Sequence, residues 1–333
     1  MRILRTCALA MVLAAFAGAA GRPAAEGSGA FMLAMLRRDG VLVPFAAHDG
    51  KRWSASWPVP KYALEAPLRF ADIPARWWGR VAPVTTWTAW PTRGEPHAVH
   101  VSGPIVFIAH CLSNVGLRSD YLSPEPIPPL TQQHHPKDGV ATTGDVTVEP
   151  VDVLDDTAPE WAAILAQVTP AVEKAEVKGA DDYVDVGRQS WQARRARAPL
   201  KLEVLCRTKD ASKGASVYYF EAVRQFAPQP GIPPLFPQPG QRGPVRRDCA
   251  FVIFSQGFVV SDGKALVSAS AVSTFAACDR EAVEYGLPLG TITVGGRAHW
   301  IMHWSGYGRE HYTIIEIGDK SFKKVLDVPG GAC

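Results

Sequence analysis

The chain has 333 residues, enough for two ordinary domains, and its 47% apolar and 20% charged residues exclude a disordered or fibrous protein. A formal net charge of +3 leaves no broad electrostatic case for nucleic acid. No G-x-S-x-G, H-E-x-x-H, P-loop or Rossmann fingerprint occurs, so no familiar motif names a reaction.

Arg2 and Arg5 precede the apolar run CALAMVLAAFAGAA at 7–20, in which Ala15-Phe16-Ala17 and Ala17-Gly18-Ala19 fit a small-x-small cleavage pattern. The run is shorter than the about 20 residues a bilayer crossing takes. Residues 1–20 therefore read as a cleaved secretory signal peptide, with no transmembrane span left after cleavage. They hold two basic and no acidic residues, so the remainder carries a net charge of about +1. The one asparagine, Asn114, precedes Val-Gly and forms no N-glycosylation sequon. Together these features point to an extracytoplasmic protein, periplasmic or secreted, of a bacterial envelope, where disulfides form.

Residues 31–157 read as a Trp/Pro-rich β domain. Val41 to Ala47 and Arg52 to Trp57 form strands around the Asp49-Gly50 turn. VTTWTAW (84–90), HAVHVSG (97–103) and IVFIAHCL (105–112) give a further antiparallel set, and GDVTVEPV a last strand ending near Val151. Residues 158–198 are one helix and a charged linker. Thr157-Ala-Pro-Glu160 has the form of a capping box, and Trp161, Ile164, Leu165 and Val168 recur on one stripe. Pro170 is expected to kink or restart the helix and Gly179 to stop it.

Residues 199–333 read as a second β domain. LKLEVLC and SVYYFEAVRQF form strands, followed by a loop with seven prolines between Pro228 and Pro244. FVIFSQGFVV (251–260) and LVSASAVSTFA (266–276) make a hairpin around Asp262-Gly263, AHWIMHW (298–304) and HYTIIEI (311–317) a second, and FKKVLDV (322–328) an edge strand. No fixed-period repeat argues for a propeller or solenoid. The expected fold is mainly β: two antiparallel β-rich domains, sandwich- or barrel-like, bridged by one helix.

Cys249 and Cys278 stand at the open end of the first hairpin and are expected to form a disulfide. Of the other three cysteines left after cleavage, Cys111 with Cys206 is the second expected pair, which leaves Cys333 over. His110 and Cys111 are neighbours on one strand and point to opposite faces, so Cys111 is structural rather than a nucleophile paired to a base.

Three candidate sites remain. Trp53, Trp57, Trp77, Trp78, Trp87 and Trp90 crowd into 38 residues, and such rings either stack on sugars as a ligand platform or pack beneath the proline-rich loops. His134-His135-x-x-Asp138 has loop spacing in which three side chains could converge on a metal ion; no other cofactor is expected. His299 and His303 lie four apart on a strand, about 13 Å at ~3.3 Å per residue, too far to share an ion. A three-residue loop would set His303 opposite His311, and a four-residue loop would separate them. The acidic stretch GADDYVDVG lacks the EF-hand spacing and reads as a solvated loop, and the basic run from Arg188 to Lys201 as a solvated linker.

Two functions compete. The first is an exported, non-enzymatic binding or assembly module of the bacterial envelope whose partner is an envelope protein or a glycan. The second is a secreted hydrolase acting on glycans, with a His/carboxylate site built from distant loops.

Overall fold

The computed structural model describes residues 29–126, 137–181, 191–209, 215–230, 248–261, 265–318 and 321–333. Residues 1–28 (which include the expected signal peptide), the proline-rich stretch 231–247, the expected Asp262-Gly263 turn, His134 and His135 lie outside the described residues.

The fold is mainly β and antiparallel. β1 (Phe31–Arg37), β2 (Val41–His48), β3 (Trp53–Ser54), β4 (Thr86–Pro91), β5 (His97–Ala109), β6 (Leu112–Ser119) and β7 (Lys137–Thr142) are joined in the order β1-β7-β4-β5-β6-β2-β3. Pairing of β1 with β2 closes six of them into a barrel and leaves β3 as an appendix. The expected strands at 97–103 and 105–112 merge into one 13-residue strand, β5, bent by a register shift between Val101 and Gly103; it ends at Ala109, and His110-Cys111, expected on a strand, make the turn into β6. Alternation along β1 sends Met32, Ala34 and Leu36 into the barrel and Phe31, Leu33 and Met35 outward, yet both sets are buried. A strand covered on both faces reads as a continuous apolar run.

The expected last strand of the first domain is replaced by an irregular crossing. Glu149 makes an isolated bridge to Thr291, and β8 (Asp152–Leu154) pairs instead with β9 (Lys201–Lys209). The chain continues through α1 (Glu160–Ala180), α2 (Trp191–Arg194), β9, β10 (Ser216–Phe226), β11 (Phe251–Ser261) and β12 (Leu266–Ala276), giving a five-stranded sheet in the order β12-β11-β10-β9-β8. β13 (Tyr285–Val294), β14 (Arg297–Gly306), β15 (Arg309–Ile317) and β16 (Phe322–Ala332) form a four-stranded meander.

The four-stranded sheet is the middle layer. One of its faces packs Ile301, Tyr312 and Ile314 on the barrel. The other packs Trp300, Met302 and Ile315 on Val217, Tyr219 and Phe258 of the five-stranded sheet. The outer face of that sheet takes Ile164, Val168 and Val172 of α1. Helix α1 is pinned there by an ion pair between buried Arg224 and buried Glu176 at 2.8 Å. Pro170 neither breaks nor restarts the helix. The capping box does not form: the Thr157 amide and hydroxyl both turn to Asp155, and Glu160 pairs with Arg207. Local side chains outbid the cap because both Thr157 and Glu160 have nearer partners than the orphan amides.

Cys249 and Cys278 are joined, with Cα atoms 6.2 Å apart. The second bond is Cys111–Cys333, which corrects the expected Cys111–Cys206 pair. Cys206 lies in the sandwich core against Trp300 and Met302, on the far side of the four-stranded sheet from the barrel. Burial, with the charge of Glu221, pushes its thiol up to about 12. The end of β16 instead runs onto the barrel, where the Cys111 amide donates to the Ala332 carbonyl and the Asn114 side chain to the Gly330 carbonyl.

Candidate functional site

The six sequence-predicted tryptophans do not share a face. Trp57, Trp78 and Trp87 are buried in the barrel, and Trp77 packs on Trp57 with ring centroids 5.1 Å apart. Trp53 is half-buried in a cleft of about 350 Å³ beside Arg52 and Arg80, its ring between those of His48 and His299. Trp90 lines a separate cleft of about 330 Å³ walled by Pro91, Pro96 and Pro150. Asp138 is buried on β7, where it pairs with Arg38 at 3.0 Å and accepts the Tyr121 hydroxyl at 3.1 Å. Among the described residues no group of three or more His, Cys, Asp or Glu is placed to hold a metal.

The arrangement with more chemistry in it lies on the β14–β15 hairpin. Its turn is the two residues Tyr307-Gly308, with Gly308 in the left-handed region at φ +70°, so neither expected loop length holds. The register pairs His303 with Tyr312 and Trp304 with His311. Paired residues share a face and successive residues alternate, so His303 and His311 end on opposite faces.

On the barrel face, Lys137 donates to both oxygens of Glu310, at 2.9 and 3.1 Å. His303 Nε2 lies 3.0 Å from the same carboxylate, and the Tyr312 hydroxyl donates to it at 2.9 Å. Lys137 and Glu310 are each 2% exposed. Burial alone would push the Glu310 carboxyl up, but Lys137 and His303 hold it well below the usual carboxylate range. This cluster is sealed in the seam between barrel and sheet.

On the sandwich face, Trp304, His311 and Thr313 line a groove of about 370 Å³ that opens between β12 and β16. The Trp304 indole N–H donates to Thr313 Oγ1 at 2.8 Å, which fixes the ring. His311 Nδ1 lies 2.7 Å from Asp327 and its Nε2 3.8 Å from Glu284. Lys324 closes on the other Asp327 oxygen, and Arg309 pairs with Glu284 at 2.7 Å. Burial works against the Asp327 charge, yet hydrogen bonds from Lys324 and His311 bring its carboxyl below the ordinary value. Beneath the groove Tyr219 donates to Glu221 at 2.7 Å, and burial raises that carboxyl in spite of the bond. Tyr219 has one proton for two acceptors, the Glu221 carboxylate at 2.7 Å and the Gln256 Oε1 at 3.1 Å.

The groove can therefore do two things. A fixed indole rimmed by paired donors and acceptors can hold a ligand with an apolar face and a polar edge. His311 is oriented by Asp327, and its Nε2, which has no hydrogen-bond partner among the described residues, is buried 3.8 Å from Glu284, so it can take a proton only from a ligand that reaches past Glu284. Among the described residues no hydroxyl or thiol is hydrogen-bonded to His311. Sequence reasoning missed this site because the shared face of Trp304, His311 and Asp327 is set by the registers of two strand pairings, β14 with β15 and β15 with β16, which local pattern does not fix. Searches with protein-family models, against curated proteins and against solved structures find no match to the chain.

Proposed function

We propose that this chain is an exported, non-enzymatic binding or assembly protein of the bacterial envelope, and that the Trp304 groove holds its ligand. Two disulfides fit an extracytoplasmic location, and no described helix is long and apolar enough to cross a membrane. The observation that carries the reading is the groove itself: a fixed aromatic floor whose rim charges, Lys324 with Asp327 and Arg309 with Glu284, are already matched to one another, with His311 hydrogen-bonded to the same Asp327. Such a rim offers hydrogen bonds without an unpaired charge, which suits a neutral polyhydroxylated chain such as a glycan. Base stacking on an aromatic ring is worth ~1–3 kcal/mol, and one sugar face on Trp304 belongs in that range.

Affinity electrophoresis in gels containing soluble polysaccharides tests this. Retardation lost in Trp304→Ala and kept in Trp90→Phe is the expected result. Equal mobility of all variants in every gel contradicts it and leaves an envelope polypeptide as the ligand to try. The His311–Asp327 contact favours a second reading, a glycan hydrolase with His311 as base. Release of reducing ends that disappears in His311→Gln would establish that reading in place of the first.

A further inference from the structure

Every edge strand of a sheet presents unpaired N–H and C=O groups, and proteins blunt such edges with shortness, charge, proline, bulges or cover. Among the described strands four edges are blunted. β3 has two residues; β8 has three, and its Asp152 is held by Arg207. β13 carries Pro288 and a register break, and Glu149 covers it by exchanging both backbone hydrogen bonds with Thr291, at 2.7 and 2.9 Å. β16 carries Lys323, Lys324, Asp327 and Pro329, with two register breaks against β15.

β12 is different. Its eleven residues, LVSASAVSTFA, hold no charge and no proline, and its single register break falls at Val267, next to the turn. The end of α1 covers its last part: a Cβ on Gly179 would stand 2.5 Å from the Ser273 carbonyl oxygen, and Ser273, Phe275 and Ala276 are buried. From Leu266 to Val272 the strand is more open, with Leu266 42%, Val267 45% and Val272 64% exposed, while Ala269 and Ala271 are half-buried on the face that takes Ile164, Val168 and Val172 of α1. Among the described residues no strand pairs with that side of β12.

We propose that this edge pairs with a second copy of itself. Two β12 strands meet antiparallel about a two-fold axis and join two five-stranded sheets into one of ten strands. The strand suits itself. It brings no like charges together, and with the axis at Ser270 it sets Ala269 opposite Ala271 and Ser268 opposite Val272. Each of these pairs has the same parity, so inner faces remain inner and outer faces outer. Because the other edges are blunted, pairing closes at two copies rather than running into a fibre. The five residues that pair about this axis, Ser268 to Val272, bury less than the ~1,200 Å² of a standard interface, so the dimer dissociates on dilution. If the groove binds a ligand as proposed above, the dimer carries two grooves near its axis, and a repeating polymer would engage both with avidity.

Sedimentation equilibrium of the mature chain without ligand reads the pairing separately from the groove. The expected mass doubles from the lowest to the highest concentration. Ser270→Lys and, separately, Val272→Lys place like charges at or beside the axis and hold the mass at one copy, with an unchanged melting temperature as the check on folding. Hydrogen exchange in the unmodified chain gives a second readout: the amides of Ser268 to Val272 slow as concentration rises. A monomer at all concentrations overturns the proposal, as does a dimer indifferent to both lysines. A monomer whose β12 amides are protected only by an added peptide also overturns it.

Discussion

The two faces of the β14–β15 hairpin carry the same kind of contact and put it to opposite uses. On one face His303 meets Glu310 at 3.0 Å, with both side chains at least nine-tenths buried. On the other His311 meets Asp327 at 2.7 Å, with 26% and 38% of their side chains exposed. The buried carboxylate has four protein contacts and no access to a ligand; the exposed one borders a groove. Burial, not residue type, decides which histidine–carboxylate pair is sealed into the fold and which stays open to solvent. A buried pair is costly to leave half-made, while a partly exposed pair is screened by water.

The largest expected effect comes from breaking the buried face. Glu310→Gln removes the buried carboxylate that Lys137, His303 and Tyr312 all contact in the seam, and loss of about 3–5 kcal/mol in denaturant unfolding is expected. Opening the same seam covalently comes next. Cys111→Ser releases a bond that spans 222 residues, and about 2–5 kcal/mol should be lost, with the barrel amides near Asn114 exchanging faster.

Acid sharpens the contrast in a graded way. Burial lowers the pKa values of His48 and His299, so the stability of their neutral forms is present above the ordinary histidine value of about 6.5 and is lost as pH falls below it. The depressed Glu310 contributes stability that is full above about pH 4.3 and is lost as pH falls through its folded value. Glu176 and Glu221, raised by burial, act with the opposite sign and lose stability as pH rises through their folded values. Melting temperatures from pH 8 downward should therefore decline in two stages, and His299→Gln should flatten the first. The smallest effect belongs to the exposed face: Asp327→Asn should cost under about 1 kcal/mol while changing groove binding.

Much of this fold was legible from local pattern. Alternation in LVSASAVSTFA marks a half-exposed strand, and β12 is one. The placing of Cys249 and Cys278 at a hairpin's open end brings them together in the fold. What local pattern does not carry is which strands meet at long range. Barrel closure by β1 and β2, the run of β16 onto the barrel and the Cys111–Cys333 bond all depend on such meetings. The tryptophans show the same limit: their crowding in sequence says nothing about the barrel wall that separates Trp57 from Trp90. The groove depended on one residue of register, since a turn longer or shorter by one would have put His303 and His311 on the same face.

Paired denaturant unfolding of His303→Gln and His311→Gln tests the division of the hairpin most directly. The buried substitution disturbs a network in which Lys137, Tyr312 and Glu310 have no water to turn to, and about 1–3 kcal/mol should be lost. The exposed one should lose no more than about 0.5 kcal/mol, with the same denaturant dependence as the unmodified chain. Equal losses, or a larger loss at His311, would contradict the assignment of one face to the fold and the other to a ligand.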